Sequence, residues 1–366
     1  MNRAHTLPSW IARLSIALAV GAAWSGASMA HEQHGAVYAL TNQAADNSVI
    51  VFDRAANGTL TYSGSFATGG AGAGSGADPL GSQGALALQG NVLLAVNAGS
   101  NEVSLFQTAG DQLILRDKVA SGGQHPVSVA VRGSLVYVLN AGATPNISAF
   151  VIDSDGQHLE ALPNSQRPLA GGTAAGAAEV HFGSDGESLL VTEKGTQTID
   201  SYKIDRHGYA YGPTSNAANA AVPFGFDVTR RGYAIVSDAG AGSASSYDVG
   251  SDGQLTPVGA ALALGEKAPC WLVTSPDGTL AFVANAGSGT IATLRIAPDG
   301  ALSLINGSAG TLNAPLDMAL SNDGTYLYAR DANGSVTGFE VHADGSLTLV
   351  TVVSGIPAGA QGIAAR

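Results

Sequence analysis

Residues Pro269 to Ile305 read PCWLVTSPDGTLAFVANAGSGTIATLRIAPDGALSLI. Four short apolar runs are separated by three turn clusters: Ser275-Pro276-Asp277-Gly278, Ala286-Gly287-Ser288-Gly289 and Pro298-Asp299-Gly300. Proline pre-sets φ at the second position of a turn and glycine supplies a positive φ, so each cluster predicts a reversal between antiparallel strands. A four-stranded sheet this small cannot bury both of its faces alone. The stretch therefore predicts one copy of a repeated unit.

The rest of the chain carries the other copies. The second strand of the unit ends on a polar residue at Asn42, Asn97, Asn140, Glu193, Asp238, Asn285 and Asp331, spaced 55, 43, 53, 45, 47 and 46 residues apart. The opening strand recurs as QGALAL from Gln83, PVSVAV from Pro126, AAEVHF from Ala177, PFGFDV from Pro223, PCWLVT from Pro269, PLDMAL from Pro315 and QGIAAR from Gln361. A period in the forties with four strands per unit is the signature of a propeller blade. The expected fold is all-β, a seven-bladed β-propeller of four-stranded antiparallel blades. The first copy starts at a second strand, Val37 to Asn42, and the last copy is an opening strand alone. The C-terminal strand is thus expected to become the inner strand of blade one and close the ring, covering an otherwise exposed edge.

Composition agrees with this class. Of 366 residues, 45% are hydrophobic, 12% are charged and 49 are glycine; few strong helix-forming runs occur. The formal net charge of −12 disfavours nucleic acid and anionic membranes, which need clustered Lys and Arg. Residues 1–30 read as a signal peptide, with Arg3 and Arg13, an apolar core from Leu14 to Ala23, and Ser28-Met29-Ala30 as a cleavage site. That core is too short to span a bilayer, and no Cys follows it for a lipid anchor. The expectation is a periplasmic or secreted protein whose residues 31–366 form one propeller domain, a monomer without membrane insertion. His31 and His34 near the new terminus could bind copper or zinc, although a frayed terminus is the plainer reading. The lone Cys270 reads as a buried small hydrophobe. The Gly-rich run from Gly69 to Gly76 leads into a strand, so it reads as a surface loop and not a phosphate cradle.

Strand parity places the candidate chemistry. The starts of the first strands and the ends of the second strands lie at one end of the ring, while the other end holds Asp-Gly turns such as Asp185-Gly186 and Asp323-Gly324. At the first end, Asn97, Asn140 and Asn285 are candidate ligand-binding groups, with Glu193, Asp238 and Asp331 replacing Asn in other blades. His125, Glu179 and Asp317 join them from the first strands. Crowded carboxylates shift pKa upward, which suits a general base. Their oxygens, those of Glu193, Asp238 and neighbouring Asn side chains above all, would also suit a divalent cation such as Ca²⁺.

At Gln124–Val129 and Gly176–Glu193 the sequence resembles the β-propeller lactonase family, which includes the propeller-type 6-phosphogluconolactonases and the carboxymuconate lactonising enzymes. The family's His-Pro-His-Ser-Val stands here as His125-Pro126-Val127-Ser128-Val129, keeping the first His. Its Gly-Pro-Arg-His stands as Gly176-Ala177-Ala178-Glu179, losing Arg and His, and its Asn-Glu as Thr192-Glu193, keeping Glu. The resemblance implies lactone chemistry carried by His125 and Glu193. The lost Arg argues against a phosphorylated or polycarboxylate substrate.

Hydrolysis of a small uncharged lactone is thus the leading expectation, a carboxylic ester hydrolase activity. Glu193 would activate water, His125 would orient it or protonate the leaving group, and Asn97 or Asn140 would steady the oxyanion; Glu179 and Asp238 are the further acid–base candidates. A metal-assisted variant would polarise the carbonyl. A non-catalytic binding or interaction module outside the cytoplasm is the alternative, and a muconate-type cycloisomerase, weakened by the missing Arg, is the third.

Overall fold

In the computed structural model, residues 35–76 and 78–366 are described. The leader read at residues 1–30, His31 and His34 lie outside the described residues. The chain forms seven antiparallel sheets arranged as blades. Their inner strands are, from blade two round to blade one, Leu86–Gln89, Pro126–Arg132, Ala177–Phe182, Pro223–Val228, Pro269–Thr274, Pro315–Leu320 and Ile363–Ala365. Consecutive inner strands pack against one another all the way round the ring. Closure is as expected: Ile363–Ala365 pairs antiparallel with Gly35–Leu40, with Val37 opposite Ala365 and Ala39 opposite Ile363.

The template blade forms as its turns dictate. Its strands run Pro269–Thr274, Leu280–Asn285, Thr290–Ile296 and Leu302–Thr311. At the first turn Gly278 has φ of 68° and donates its N–H to the Ser275 carbonyl at 2.8 Å. Blades are held to each other by apolar faces and by aromatic hydroxyls that reach across. Tyr326 and Tyr328 donate to the carbonyls of Ala56 and Gly58 in blade one, both at 2.8 Å. A Cβ on Gly58 would stand 2.3 Å from the Tyr326 ring, so this seam requires glycine.

Two irregularities shape the channel. The inner strands of blades three to seven each slip register near their start, between Pro126 and Ser128, Ala177 and Glu179, Pro223 and Phe226, Pro269 and Trp271, and Pro315 and Met318. Each bulge re-aims the third residue of the strand. The second irregularity lies in blade two, whose inner strand begins only at Leu86, although the apolar pattern begins at Gln83. Residues 78–84 run across the channel instead. Ser82 donates its hydroxyl to Val127 O at 2.8 Å in blade three, and its carbonyl accepts from Trp271 Nε1 at 2.9 Å in blade six. Gln83 donates its N–H to Ala178 O at 3.1 Å in blade four. The Gly69–Gly76 run feeding this segment is tied to blade one, with Gly72 N–H on Gln43 O at 2.7 Å and Gly74 N–H on Asn42 O at 3.0 Å.

Candidate functional site in the central funnel

Because the crossing segment spans one end of the channel, the space within it opens at the other end. It forms a funnel of about 680 Å³. Gln83, Glu179, Phe226 and Asp317 line its depth; Arg132, Ser184, Arg230 and Asn322 line its rim. The rim residues belong to the ends of inner strands and to the turns that follow. The cavity therefore opens on the Asp-Gly turn side, opposite to the end the strand parity singled out. The physical reason is long-range: a segment from the blade one to blade two connection reaches blades three, four and six.

Inner strands are sheet edges, so half of their N–H groups face the channel and need acceptors. The acceptors are supplied by the re-aimed third residues and by the crossing segment. Val180 N–H bonds Ser128 Oγ at 3.2 Å, Phe226 N–H bonds Glu179 Oε2 at 2.6 Å, and Met318 N–H bonds Asp317 Oδ1 at 2.9 Å. Blade five has Gly225 at this position, and the space is filled by Gln83. Gln83 Oε1 accepts from Leu272 N–H at 2.8 Å and its Nε2 donates to Leu272 O at 2.7 Å.

Glu179 and Asp317 are buried, 3% and 2% exposed. Burial holds the Glu179 carboxyl well above the usual carboxylate range, the nearby Asp227 and Asp317 charges adding to it against the Phe226 N–H. Burial likewise pushes Asp317 up to about 8. Asp317 is therefore largely a neutral acid at neutral pH and can donate a proton or a hydrogen bond, and Glu179 is biased in the same direction. Asp317 Oδ2 has no partner. Its backbone sits at φ of 111°, a region that costs a side-chain-bearing residue about 1–3 kcal/mol and clusters at functional sites.

Two residues along the same strand as Glu179, His181 faces the funnel with its side chain 40% exposed. Its Nδ1 lies 2.8 Å from the Phe182 carbonyl. A carbonyl only accepts, so Nδ1 carries the proton in the neutral ring and Nε2 keeps its lone pair. Asp227 Oδ1 stands 3.8 Å from Nε2. Asp227 is itself fixed by Thr274, whose N–H and Oγ1 both donate to Oδ2 at 2.8 Å. An imidazole with a free nitrogen, a carboxylate beside it and two buried carboxyls of raised pKa deeper in the same cavity can transfer protons in both directions. Sequence reasoning missed His181 and Asp227. The signal was present, since residues two apart on a strand share a face and Glu179 was already singled out.

The remaining residues singled out from the sequence lie elsewhere. Glu193 is fully buried in blade four, where Oε1 accepts from Gly171 N–H at 3.1 Å and Oε2 from Thr198 Oγ1 at 3.1 Å and from Thr196 Oγ1. Asp200 in the same pocket is pushed up to about 7 by burial, with the Glu193 carboxylate adding to the effect. Asp238 accepts from Ser243 and Ser245 at 3.0 and 2.7 Å, and Asp331 from Ser335 and Thr337 at 3.1 and 2.6 Å. Asn97 donates to Ser104 Oγ at 2.8 Å, Asn140 to Ser148 Oγ at 3.2 Å and Asn285 to Thr290 Oγ1 at 3.1 Å. In each of these blades the strand-two terminus clamps the hydroxyls at the start of strand three. His125 is half-buried with φ of 54°, its N–H on Asn101 Oδ1 at 2.7 Å; burial pulls its imidazole pKa down. Glu193 and His125 share no hydrogen-bond partner, and neither lines the funnel.

Among the described residues no three His, Cys, Asp or Glu side chains gather as a metal-holding group, and Glu193 and Asp238, expected as Ca²⁺ ligands, are each bonded to hydroxyls of their own blade. Cys270 is unpaired and half-buried, its thiol pushed up to about 12 by burial, which leaves it a poor nucleophile. No helix among the described residues is long and apolar enough to cross a membrane.

Residues 223–310, spanning blades five and six, match the model of the lactonase family of seven-bladed β-propellers. No curated protein matches the chain. Among solved structures, a Lactobacillus plantarum protein is similar with a TM-score of 0.72 at 18% identity, over 91% of this chain and 99% of that one. A candidate 6-phosphogluconolactonase of Bacteroides fragilis gives 0.69 at 17%, over 93% and 99%. A periplasmic gluconolactonase of Pseudomonas aeruginosa gives 0.66 at 16%, over 90% and 98%. At these identities the likeness is one of fold.

Proposed function

We propose that this lactonase-type seven-bladed propeller hydrolyses a small lactone in the funnel, with His181 as general base. The observation that carries the reading is the convergence, in one open cavity, of an imidazole with a free Nε2 and two buried carboxyls whose pKa values burial raises. Water bound between His181 Nε2 and Asp227 Oδ1 loses its proton to Nε2 as its oxygen attacks the lactone carbonyl. Asp227, anchored by Thr274, stabilises the imidazolium. The Asp317 carboxyl, with Oδ2 free, donates a hydrogen bond to the developing oxyanion. As the ring C–O bond breaks, the imidazolium returns its proton to the leaving alkoxide, giving a hydroxy acid and restoring the neutral ring. Water supplies both the oxygen and the proton, so no cofactor is drawn on.

The cavity is large enough to admit a monocyclic lactone. Of the two rim arginines, Arg132 is occupied by the carbonyls of Gly183 and Ser184, at 2.9 and 3.0 Å, and the uncharged class rests on the family Arg that the sequence lacks. The leader sequence supports action after export.

The test is turnover of a panel of γ- and δ-lactones by wild type, His181→Asn and Glu193→Gln. Loss of a general base costs about 10²–10⁴ in rate. That loss is expected for His181→Asn, while Glu193→Gln retains turnover if it folds. The reverse pattern would move the chemistry to blade four, and no turnover of any lactone by folded wild type would favour a binding module.

A further inference from the structure

Behind the crossing segment, on the side away from the funnel, lies an arginine with nothing to hold. Arg330, in the second strand of blade seven (Tyr326–Asp331), is 1% exposed, and none of its three guanidinium nitrogens has a hydrogen-bond partner. A buried, unpaired guanidinium is among the most unfavourable states a side chain can adopt, so a folded protein keeps one only where something else satisfies it. The counter-charges that act on it are Asp331, the next residue of the strand and the strongest of the three, then Asp317 in the channel wall and Asp78 on the crossing segment; none of them bonds it. Lys194, directly after the second strand of blade four, is acted on by Asp78 as well. Its ammonium donates to the Gly81 carbonyl and lies 4.7 Å from the centre of the Phe224 ring.

We propose that Arg330 and Lys194 form a binding site for a small oxyanion, a carboxylate or phosphate group, whose place Asp78 holds from within the chain. The Asp78 carboxylate is not a dedicated partner of either cation. Its Oδ1 caps the N–H of Gly81 at 3.0 Å and accepts from Gln361 Nε2. Asp78 is half-buried, so this end of the site is reached from solvent. An incoming oxyanion that displaces it gains what Asp78 does not give, two acceptor oxygens aligned with the planar fork of Arg330. Burial pushes Asp317 up to about 8 and raises Asp331 as well, and Asp331 is bonded by Ser335 and Thr337, so the two wall carboxyls do not replace a bonded partner for the guanidinium. Neither Arg330 nor Lys194 lines the funnel, and Asp317 is the one residue common to this site and the lactone reaction; anion binding is read without turnover, so the two proposals are tested apart.

The experiment is a titration of the full chain with inorganic phosphate and, separately, with acetate, in a zwitterionic buffer with chloride at equal ionic strength as control. Binding is read by calorimetry and by melting temperature. Asp78→Asn is expected to tighten binding of at least one of the two anions about tenfold over wild type, and a melting shift of about 5 °C is expected at a hundredfold excess over Kd. Arg330→Met is expected to abolish the response while being at least as stable as wild type without added anion. Arg330→Lys, which keeps the charge and loses the fork, should bind weakly. Phosphate or acetate alone raising stability tells which oxyanion fits. Equal responses in wild type and Arg330→Met would be general salt stabilisation and overturn the site. So would a clear loss of stability in anion-free Arg330→Met, because Arg330 would then be satisfied from within. Should Asp78→Asn not fold, Asp78→Ser opens the same place.

Discussion

Replacing Gly225 by alanine tests the account of the channel with a single methyl group. The backbone at Gly225 is not in the left-handed region, so alanine brings no conformational strain of its own. What it brings is a collision. An added Cβ would lie 2.1 Å from Gln83 Oε1, 3.0 Å from Gln83 Cδ and 2.7 Å from the Cys270 carbonyl oxygen. Gln83 must then leave the place where it bridges the N–H and C=O of Leu272. The two hydrogen bonds lost are worth about 0.5–1.5 kcal/mol each. Overpacking against the Cys270 backbone adds about 1–3 kcal/mol. Gly225→Ala should therefore lose about 2–6 kcal/mol in urea unfolding, far more than a methyl group on an open inner strand would cost. The cycle with Gln83→Ala sharpens the test. Gln83→Ala alone forfeits the bonds, but it also removes two of the three atoms in the way, so the double variant should be less unstable than the two losses added, by about 1 kcal/mol or more. A Gly225→Ala protein within 0.5 kcal/mol of wild type, or strict additivity in the cycle, would refute the seating of residues 78–84 across the channel.

Three further outcomes are expected. Asp317 stays protonated in the folded protein up to about pH 8 but ionises near 3.8 when unfolded, so each step in pH across that window favours unfolding. Asp317→Asn should flatten the fall in stability between about pH 4 and pH 8, seen in melting temperature against pH, and an unchanged slope would show Asp317 to be ionised in the fold. Trp271→Phe forfeits the bond to the Ser82 carbonyl and part of the contact with Phe224, whose ring lies 5.3 Å away; it should cost about 2 kcal/mol in urea unfolding. Ending the chain at Gly362 removes Ile363–Ala365 from the Val37–Ala39 edge and removes the Arg366 contacts to Arg54 and Thr108. That protein should melt well below wild type and self-associate through the bared edge, as read by size-exclusion chromatography; a monodisperse product with the wild-type melting temperature would contradict ring closure by this strand.

Seven blades and their closure are written in local signals. Asp-Gly and Pro-Asp-Gly turns set where strands reverse, and alternation sets which face is buried, so Leu280–Asn285 or Tyr326–Asp331 can be placed without knowing what lies beside them. The polar residue ending each second strand could be read the same way, because its partners, such as Ser243 and Ser245 for Asp238, lie a few residues on. Glu179 and Asp317 were legible as unusual members of the repeat.

What the chain could not disclose by itself was which end of the ring stays open. That depends on residues 78–84 leaving the blade pattern to bond Val127, Ala178, Trp271 and Leu272, partners up to 189 residues away. No local propensity encodes such contacts; they exist only once the ring has brought blades three to six around the segment. His181 shows the same limit on a smaller scale. Its place on the strand was readable, but its value came from Asp227 one blade on and from a cavity that only the closed ring creates. Sequence determined the fold through short-range chemistry, and tertiary structure decided the site because a cavity belongs to no single blade.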